Sequence, residues 1–198
     1  MKAKAKMVIT LLKLKAQELA KSNKIITVIL LAVLAVWGLS VFIFSTQDIG
    51  TATAAQELEQ LNANIRRHYQ NRPDYWGLNT TAVKDKSIAP QSMLKPEGLR
   101  NFFATEVLVG NGVEGQMLMP GARNFDIVYK NLSKQQCREL ASFKFSEQFW
   151  MGVSAITIGD NSNQQTFSWN DTSNQLPISN EATKKCCRTN NTIIWHFE

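Results

Sequence analysis

Hydrophobic positions follow three different rules along this chain. The first is continuity. Ile25-Ile-Thr-Val-Ile-Leu-Leu-Ala-Val-Leu-Ala-Val-Trp-Gly-Leu-Ser-Val-Phe-Ile-Phe44 is a run of twenty residues without a charge. As a helix it would extend about 30 Å, the thickness of a bilayer's hydrocarbon core, which predicts a transmembrane helix over residues 25–44. Thr27, Gly38 and Ser40 are tolerated in such helices. A core helix of this length would carry a polar face. A cleaved secretory signal has a shorter apolar region ending at small residues, whereas this run closes on Phe42-Ile-Phe44. The run reads as a retained anchor.

The second rule is helical period. Ala54, Leu58, Leu61, Ile65 and Tyr69 recur at spacings of four, three, four and four, so they share one face of a helix. Gln56, Glu57, Glu59, Gln60, Asn62, Arg66 and Arg67 fall elsewhere. No proline lies between Met1 and Arg72. Residues 45–71 are therefore expected to continue the spanning helix as an amphipathic segment, ending before Pro73. Gly50 permits a bend but does not require a break.

The third rule is short alternation, beginning after an irregular stretch. Pro73, Gly77, Pro90, Pro96 and Gly98 punctuate Arg72–Arg100, with a helical turn expected near Gln91–Leu94. Glu106–Val109, Gln116–Met119 and Asn124–Tyr129 read as strands separated by glycine turns. Ser133 is placed to cap a helix running to about Phe143, with Leu132, Gln136, Cys137, Leu140 and Phe143 inward. Gly152–Ile158 reads as a strand, Gly159-Asp-Asn161 as a turn, and Gln165–Trp169 as a hairpin partner. Ser179–Cys187 reads as a short helix capped by Ser179 or Asn180. Thr192–Phe197 alternates, with Ile193, Trp195 and Phe197 on one face and Thr192, Ile194 and His196 on the other. Residues 72–198 are thus expected to form one αβ head.

Charge fixes an orientation. Lys2, Lys4, Lys6, Lys13, Lys15, Lys21 and Lys24 precede the apolar run against the single acid Glu18, and the next basic residue is Arg66. Positive residues stay on the cytoplasmic side, so residues 1–24 are expected to be a cytoplasmic tail and the head to lie across the bilayer. The net charge of +6 resides wholly in the first 44 residues, since the remainder carries fifteen basic and fifteen acidic side chains. It records topology, with attraction to anionic lipid. No basic patch interleaved with aromatics points to nucleic acid.

All three cysteines, Cys137, Cys186 and Cys187, fall in the head. In an oxidising compartment Cys137 is expected to pair with one of the two neighbours. Ile178, Ala182 and Cys186 repeat at four-residue spacing. On a helix this places Cys186 in an apolar stripe and turns Cys187 about 100° away. The expected bridge is Cys137–Cys186, with Cys187 the alternative and the remaining thiol buried. The cysteine spacing, with His68 and His196 the only histidines, does not match a zinc site. Ser154, His68 and Asp160 could be written as a triad, but no nucleophile-elbow motif surrounds them. Asp160-Asn-Ser-Asn lacks the spaced acids of a calcium loop. Trp76, Trp150, Trp169 and Trp195 could bind a ligand, though burial is the commoner role. No cofactor and no enzymatic activity are expected.

A long helix, an irregular loop, a sheet and a cysteine-bounded C-terminal region, in that order, resemble type IV pilins. The resemblance is sharpest to the type IVb, PilS-like pilins of thin conjugative and enteric pili. Ile65-Arg-Arg-His-Tyr-Gln-Asn-Arg-Pro-Asp-Tyr-Trp-Gly-Leu78 is similar to the end of their helical spine and the start of the following loop. Phe125–Cys137, Val153–Gly159 and Cys186…Asn191-Thr-Ile-Ile-Trp195 are similar to their later strands and cysteines. The resemblance implies an α+β fold in which a long N-terminal helix, half transmembrane and half amphipathic, packs through Ala54, Leu58, Leu61, Ile65 and Tyr69 on an antiparallel sheet. It implies the lipid bilayer and other pilin subunits or the pilus assembly machinery as partners, and a bacterial inner-membrane protein with its head in the periplasm. Pilins of this family carry a glutamate near the start of the apolar segment, just after a leader cut at Gly or Ala. Here Glu18 lies outside the run, and Lys21 and Lys24 intervene. The expectation is a minor or non-polymerising subunit that keeps its lysine tail. The alternative is a membrane-tethered binding or adhesin module.

Overall fold

The computed structural model describes residues 49–160 and 163–198. The lysine tail and the apolar run at residues 25–44 lie outside the described residues, as do residues 161–162, on which part of the expected Gly159–Asn161 turn falls. Within the described residues no helix is long and apolar enough to cross a membrane.

The chain is helical from residue 49 through residue 69 (α1). Its period-3.6 face is buried: Ala54, Leu58, Leu61 and Ile65 have no exposed surface and Tyr69 has 3%. Tyr69 O accepts from Arg72 N at 2.8 Å just before Pro73, whose lack of an N–H suits an exit from the helix. The segment that follows is stitched to the rest rather than free. Tyr75 N donates to Ala122 O, and Gly77 N donates to Leu118 O. Helix α2 (Thr80–Asp85) is capped by the Asn79 side chain, which accepts from Ala82 N at 2.7 Å. Thr80 Oγ1 accepts from Val109 N at 2.9 Å and so ties this loop to the sheet. A 3-10 turn at Gln91–Met93 falls where a helical turn was expected.

Seven antiparallel strands form one sheet: β1 (Leu94–Lys95), β2 (Gly98–Arg100), β3 (Glu106–Gly110), β4 (Phe125–Leu132), β5 (Val153–Asp160), β6 (Asn163–Ser168) and β7 (Asn191–Phe197). Their spatial order is β1-β2-β3-β4-β7-β5-β6. The spatial order therefore departs from the chain order. The last strand in sequence lies between β4 and β5, in register Ile127↔Trp195 on one side and Ile156↔Trp195 on the other. A hydrophobic, alternating strand is most stable where both edges find partners, and β7 carries the alternation expected of it. Ile193, Trp195 and Phe197 turn into the core cluster together with Phe125, Ile127 and Tyr129 of β4. On the other face Val128 lies opposite Ile194, and Asp126 opposite His196.

Gln116–Met119 does not form a strand. Gln116 makes an isolated bridge to Asn111, while Leu118 is buried by exchanging hydrogen bonds with the Gly77–Leu78 segment. The glycine turn that precedes it is dictated by space, because a Cβ on Gly110 would run into the Gln116 carbonyl. Helix α3 (Lys134–Ala141) begins at Ser133 with a complete capping box, Gln136 returning a bond to the Ser133 N–H at 2.9 Å. A single turn, α4 (Glu147–Trp150), follows, and α5 (Asn180–Cys186) is capped by Ser179.

Candidate functional site

Among the described residues, polar contacts gather at the seam where α1 meets the rest of the head. Beyond the apolar face, five polar side chains of α1 reach other elements, one of them Asn64, whose Nδ2 donates to Ile88 O at 2.9 Å. Thr51 Oγ1 donates to Glu139 of α3 at 2.5 Å. Glu57 was placed off the apolar face, yet it is 5% exposed. Its carboxylate accepts from Ser92 Oγ at 2.7 Å and from the Phe102 N–H at 2.7 Å, gathering two loops onto the helix. Glu59 accepts from the Ser146 N–H at 2.7 Å, where α4 is capped. Arg66 is oriented by Asn62 and donates to Gly152 O at 3.1 Å and to the backbone oxygen of Glu198. Its guanidinium also stands about 6.0 Å from the Phe125 ring centre and 5.9 Å from that of Phe197. A Cβ on Gly152 would meet that guanidinium, so a larger residue there would displace Arg66 from this position. In the sheet centre, Tyr129 Oη donates to Ala54 O at 3.3 Å, joining strand to helix inside the core. Burial pushes the Tyr129 phenol well above its ordinary pKa, with the nearby Glu57 carboxylate adding to the effect.

The second feature is the C-terminal clasp, which corrects the expected bridge. Cys137 pairs with Cys187, their Cα atoms 5.8 Å apart, and Cys186 is the free, buried thiol. The helical argument failed because α5 stops between the two cysteines. Cys186 is its last residue, and Cys187 is extended at φ −80°, ψ 119°. Cys187 is therefore not rotated by a helical step; the chain swings it toward α3. Cys186 instead points back along α5, its Sγ 3.9 Å from Thr183 O, and burial raises its pKa. Asn191, fully buried, holds the exit. Its side chain accepts from Arg188 N at 2.6 Å and donates to Arg188 O at 2.7 Å and Leu132 O at 3.2 Å.

A model of the family described as PilS N terminal matches residues 49–198, the whole of the head just described. The chain belongs to the PilS N-terminal family. Two solved structures are similar to it. One is the type IV pilin TcpA from Vibrio cholerae El Tor biotype, at 14% identity and TM-score 0.50, covering 75% of this chain and 99% of that one. The other is a type IVb pilin from Salmonella typhi, at 16% identity and TM-score 0.48, covering 73% and 97%. No curated protein matches the sequence. The PilS-family head therefore has a pilin-like α+β fold, and pilins are structural subunits rather than enzymes.

The PilS-family head keeps apart the residues that could have been written as a triad. Ser154 Oγ donates to His196 O, Asp160 accepts from the Asn163 N–H, and His68 meets Tyr69 edge-on. A polar row that the sequence reading missed crosses the outer sheet face instead. Asp126 Oδ1 lies 2.7 Å from His196 Nδ1, His196 Nε2 lies 2.9 Å from Thr157 Oγ1, and Thr157 lies 2.9 Å from Thr166. Asp126 Oδ2 accepts from Gly112 N at 2.6 Å, so the row braces a loop. Strand alternation places His196 on this face; its partners emerge only from the register. Among the described residues no group of three or more His, Cys, Asp or Glu side chains is placed to hold a metal.

The four tryptophans of the head fall into three settings. Trp195 is fully buried and Trp76 is 60% exposed. Trp150 and Trp169 meet at right angles, 5.7 Å between ring centres, with Trp169 Nε1 donating to Val153 O at 2.6 Å. Together with Glu147, Ser154, Asn170 and Glu198 they line an open cleft of about 630 Å³.

Proposed function

We propose that this protein is a membrane-anchored pilin-like subunit acting in type IVb pilus structure or assembly, as a minor or non-polymerising component. The observation that carries the subunit role is the family match over the whole head. On this reading the apolar run at residues 25–44 spans the bacterial inner membrane, the lysine tail stays in the cytoplasm and the head stands in the periplasm. The run continues toward α1 as the upper half of one long helix. Its partners are the lipid bilayer and other pilin subunits or the assembly machinery, met through the apolar half of that helix. The head's own half of the helix is committed inward, because the face from Ala54 to Tyr69 is buried against the sheet.

The restriction to a minor or non-polymerising role rests on Glu18, Lys21 and Lys24. A carboxylate outside the apolar run cannot serve inside a filament of packed apolar helices, and carrying two lysines into such a core would be costly. Intact-mass measurement on the purified membrane form tests this. A mass that includes the lysine tail is expected; an N-terminus anywhere between Gln17 and Ile26 would overturn the non-polymerising reading and return the chain to the filament.

A second reading, a membrane-tethered binding module, is favoured by the Trp150–Trp169 cleft, where a half-exposed indole is held in place by its bond to Val153. Cross-linking separates the two. Helix-to-helix cross-links from residues 25–44 to pilins support the subunit role, whereas full function after exchange of that segment for an unrelated anchor supports the tether.

A further inference from the structure

The open cleft beside the start of β5 is walled by aromatic rings that other groups hold in place. Trp169 Nε1 donates to Val153 O at 2.6 Å, which fixes the indole while 40% of the residue stays exposed. Trp150 meets it at 82° and is backed by Phe145 and Phe149, their ring centres 5.7 and 5.9 Å away. Two indole planes at right angles make a corner, and Met151, 80% exposed, lines the same cleft. Indole faces carry negative charge density and attract cations more strongly than any other side-chain ring.

The polar lining points the same way. Two of its donors, Trp169 Nε1 and Ser154 Oγ, are already spent on the backbone oxygens of Val153 and His196. Its charged side chains are Glu147 and Glu198, which as carboxylates can only accept. Among the described residues neither carboxylate has an ion-pair partner, and no lysine or arginine lines the cleft. The Arg66 guanidinium approaches from α1, but it is engaged by Gly152 O and the Glu198 backbone oxygen and stands over the Phe125 and Phe197 rings.

We propose that this cleft binds a guanidinium group, carried as an arginine side chain by a protein partner. The inference rests on reading the cleft as a binding site and names its ligand; it does not depend on whether the anchor is a bare tether, because every residue it uses belongs to the head. A guanidinium is planar, has five N–H donors and no acceptor, and is weakly hydrated for a cation. It lies flat on an indole while its fork turns to a carboxylate. An ammonium is a compact, strongly hydrated charge and gives up more water to enter. A neutral sugar asks its site for donors as well as acceptors. Free arginine brings an α-carboxylate toward two others, whereas an arginine within a chain does not.

The test uses the full chain in detergent micelles, labelled with ¹⁵N at tryptophan. Indole N–H signals are assigned with Trp150→Phe and Trp169→Phe. The probes are N-acetyl-argininamide, its neutral isostere N-acetyl-citrullinamide, N-acetyl-lysinamide, free arginine and methyl glucoside. The expected result is saturable movement of the Trp150 and Trp169 signals, with buried Trp195 and distant Trp76 unmoved. N-acetyl-argininamide should bind at least about fivefold more tightly than the citrulline and lysine probes. Glu147→Gln, at an exposed position, should weaken it about threefold with the melting temperature unchanged. Equal binding of the citrulline probe, or no effect of Glu147→Gln, overturns the role of charge and the proposal with it. Tighter binding of the lysine probe or the glucoside overturns the guanidinium while leaving a binding site. Tighter binding of free arginine overturns the protein partner. Signals at 150 and 169 that no probe moves overturn the cleft as a binding site and leave the subunit role standing.

Discussion

Cys186 and Cys187 are chain neighbours in different environments, so exchanging either has a different consequence. Cys187→Ala removes the bridge that closes a separation of 50 residues and should cost about 2–5 kcal/mol in urea unfolding. Cys186→Ala removes only a small buried group and should cost about 1 kcal/mol with the bridge intact. Burial both raises the Cys186 pKa and blocks access. Alkylation near pH 8 should therefore mark Cys186 only after unfolding, and rapid labelling of the native protein would show that the clasp is open. Tyr129 sets a second expectation, with a definite sign. Its folded pKa is raised, so its contribution to stability is fully present below the unfolded phenol's value, about 10, and is lost as pH rises beyond it. Unfolding midpoints should fall from pH 8 to about pH 11, and Tyr129→Phe should flatten that fall. An unchanged slope in the variant would assign the alkaline loss elsewhere. Neither residue's role was legible locally. The fate of the cysteines depends on Asn191 arresting the chain at Arg188, and nothing in the spacing of Cys186 and Cys187 reports that.

Among the elements, α1 was the most readable and also concealed the most. Its apolar period located the buried face, because a repeat of 3.6 needs no knowledge of the partner. The same period places Glu57 off the apolar face, and its burial follows only from the loops that carry Ser92 and Phe102. Leu61→Ala should cost about 2–5 kcal/mol, the usual range for a fully buried leucine, and Leu61→Asp should prevent folding. Glu57→Ala should cost about 1–3 kcal/mol by leaving the Ser92 hydroxyl and the Phe102 N–H without their partner. If it melts like the parent, the two loops are held by something other than this carboxylate. The capping serines, Ser133 and Ser179, were legible because a cap is a local bond. Helix α2, helix α4 and the β1–β2 pair were not, since six, four and five residues carry too little period to separate from loop.

At the scale of the whole head, the strands themselves could be read from alternation, but their order could not. Pairing is non-local, and a central strand and an edge strand can share one pattern. The position of β7 matters most. Its amides should exchange slowest of all in native-state hydrogen exchange, since both of its edges are hydrogen-bonded and its inner face is fully buried. Protection greater in β1 or β6 than in β7 would contradict the central placement. That placement also has a consequence in time. A chain made from its N-terminal end presents β1 to β4 first and β5–β6 later, and the two groups have no direct pairing with each other. Each waits with one bare edge until residues 191–197 arrive and close both. Until then the nascent head offers two open templates to any passing strand. Formation of the Cys137–Cys187 bond, four residues ahead of Asn191, would draw β7 toward β4 and shorten that wait, so a reducing environment should harm the yield of this head more than its final stability.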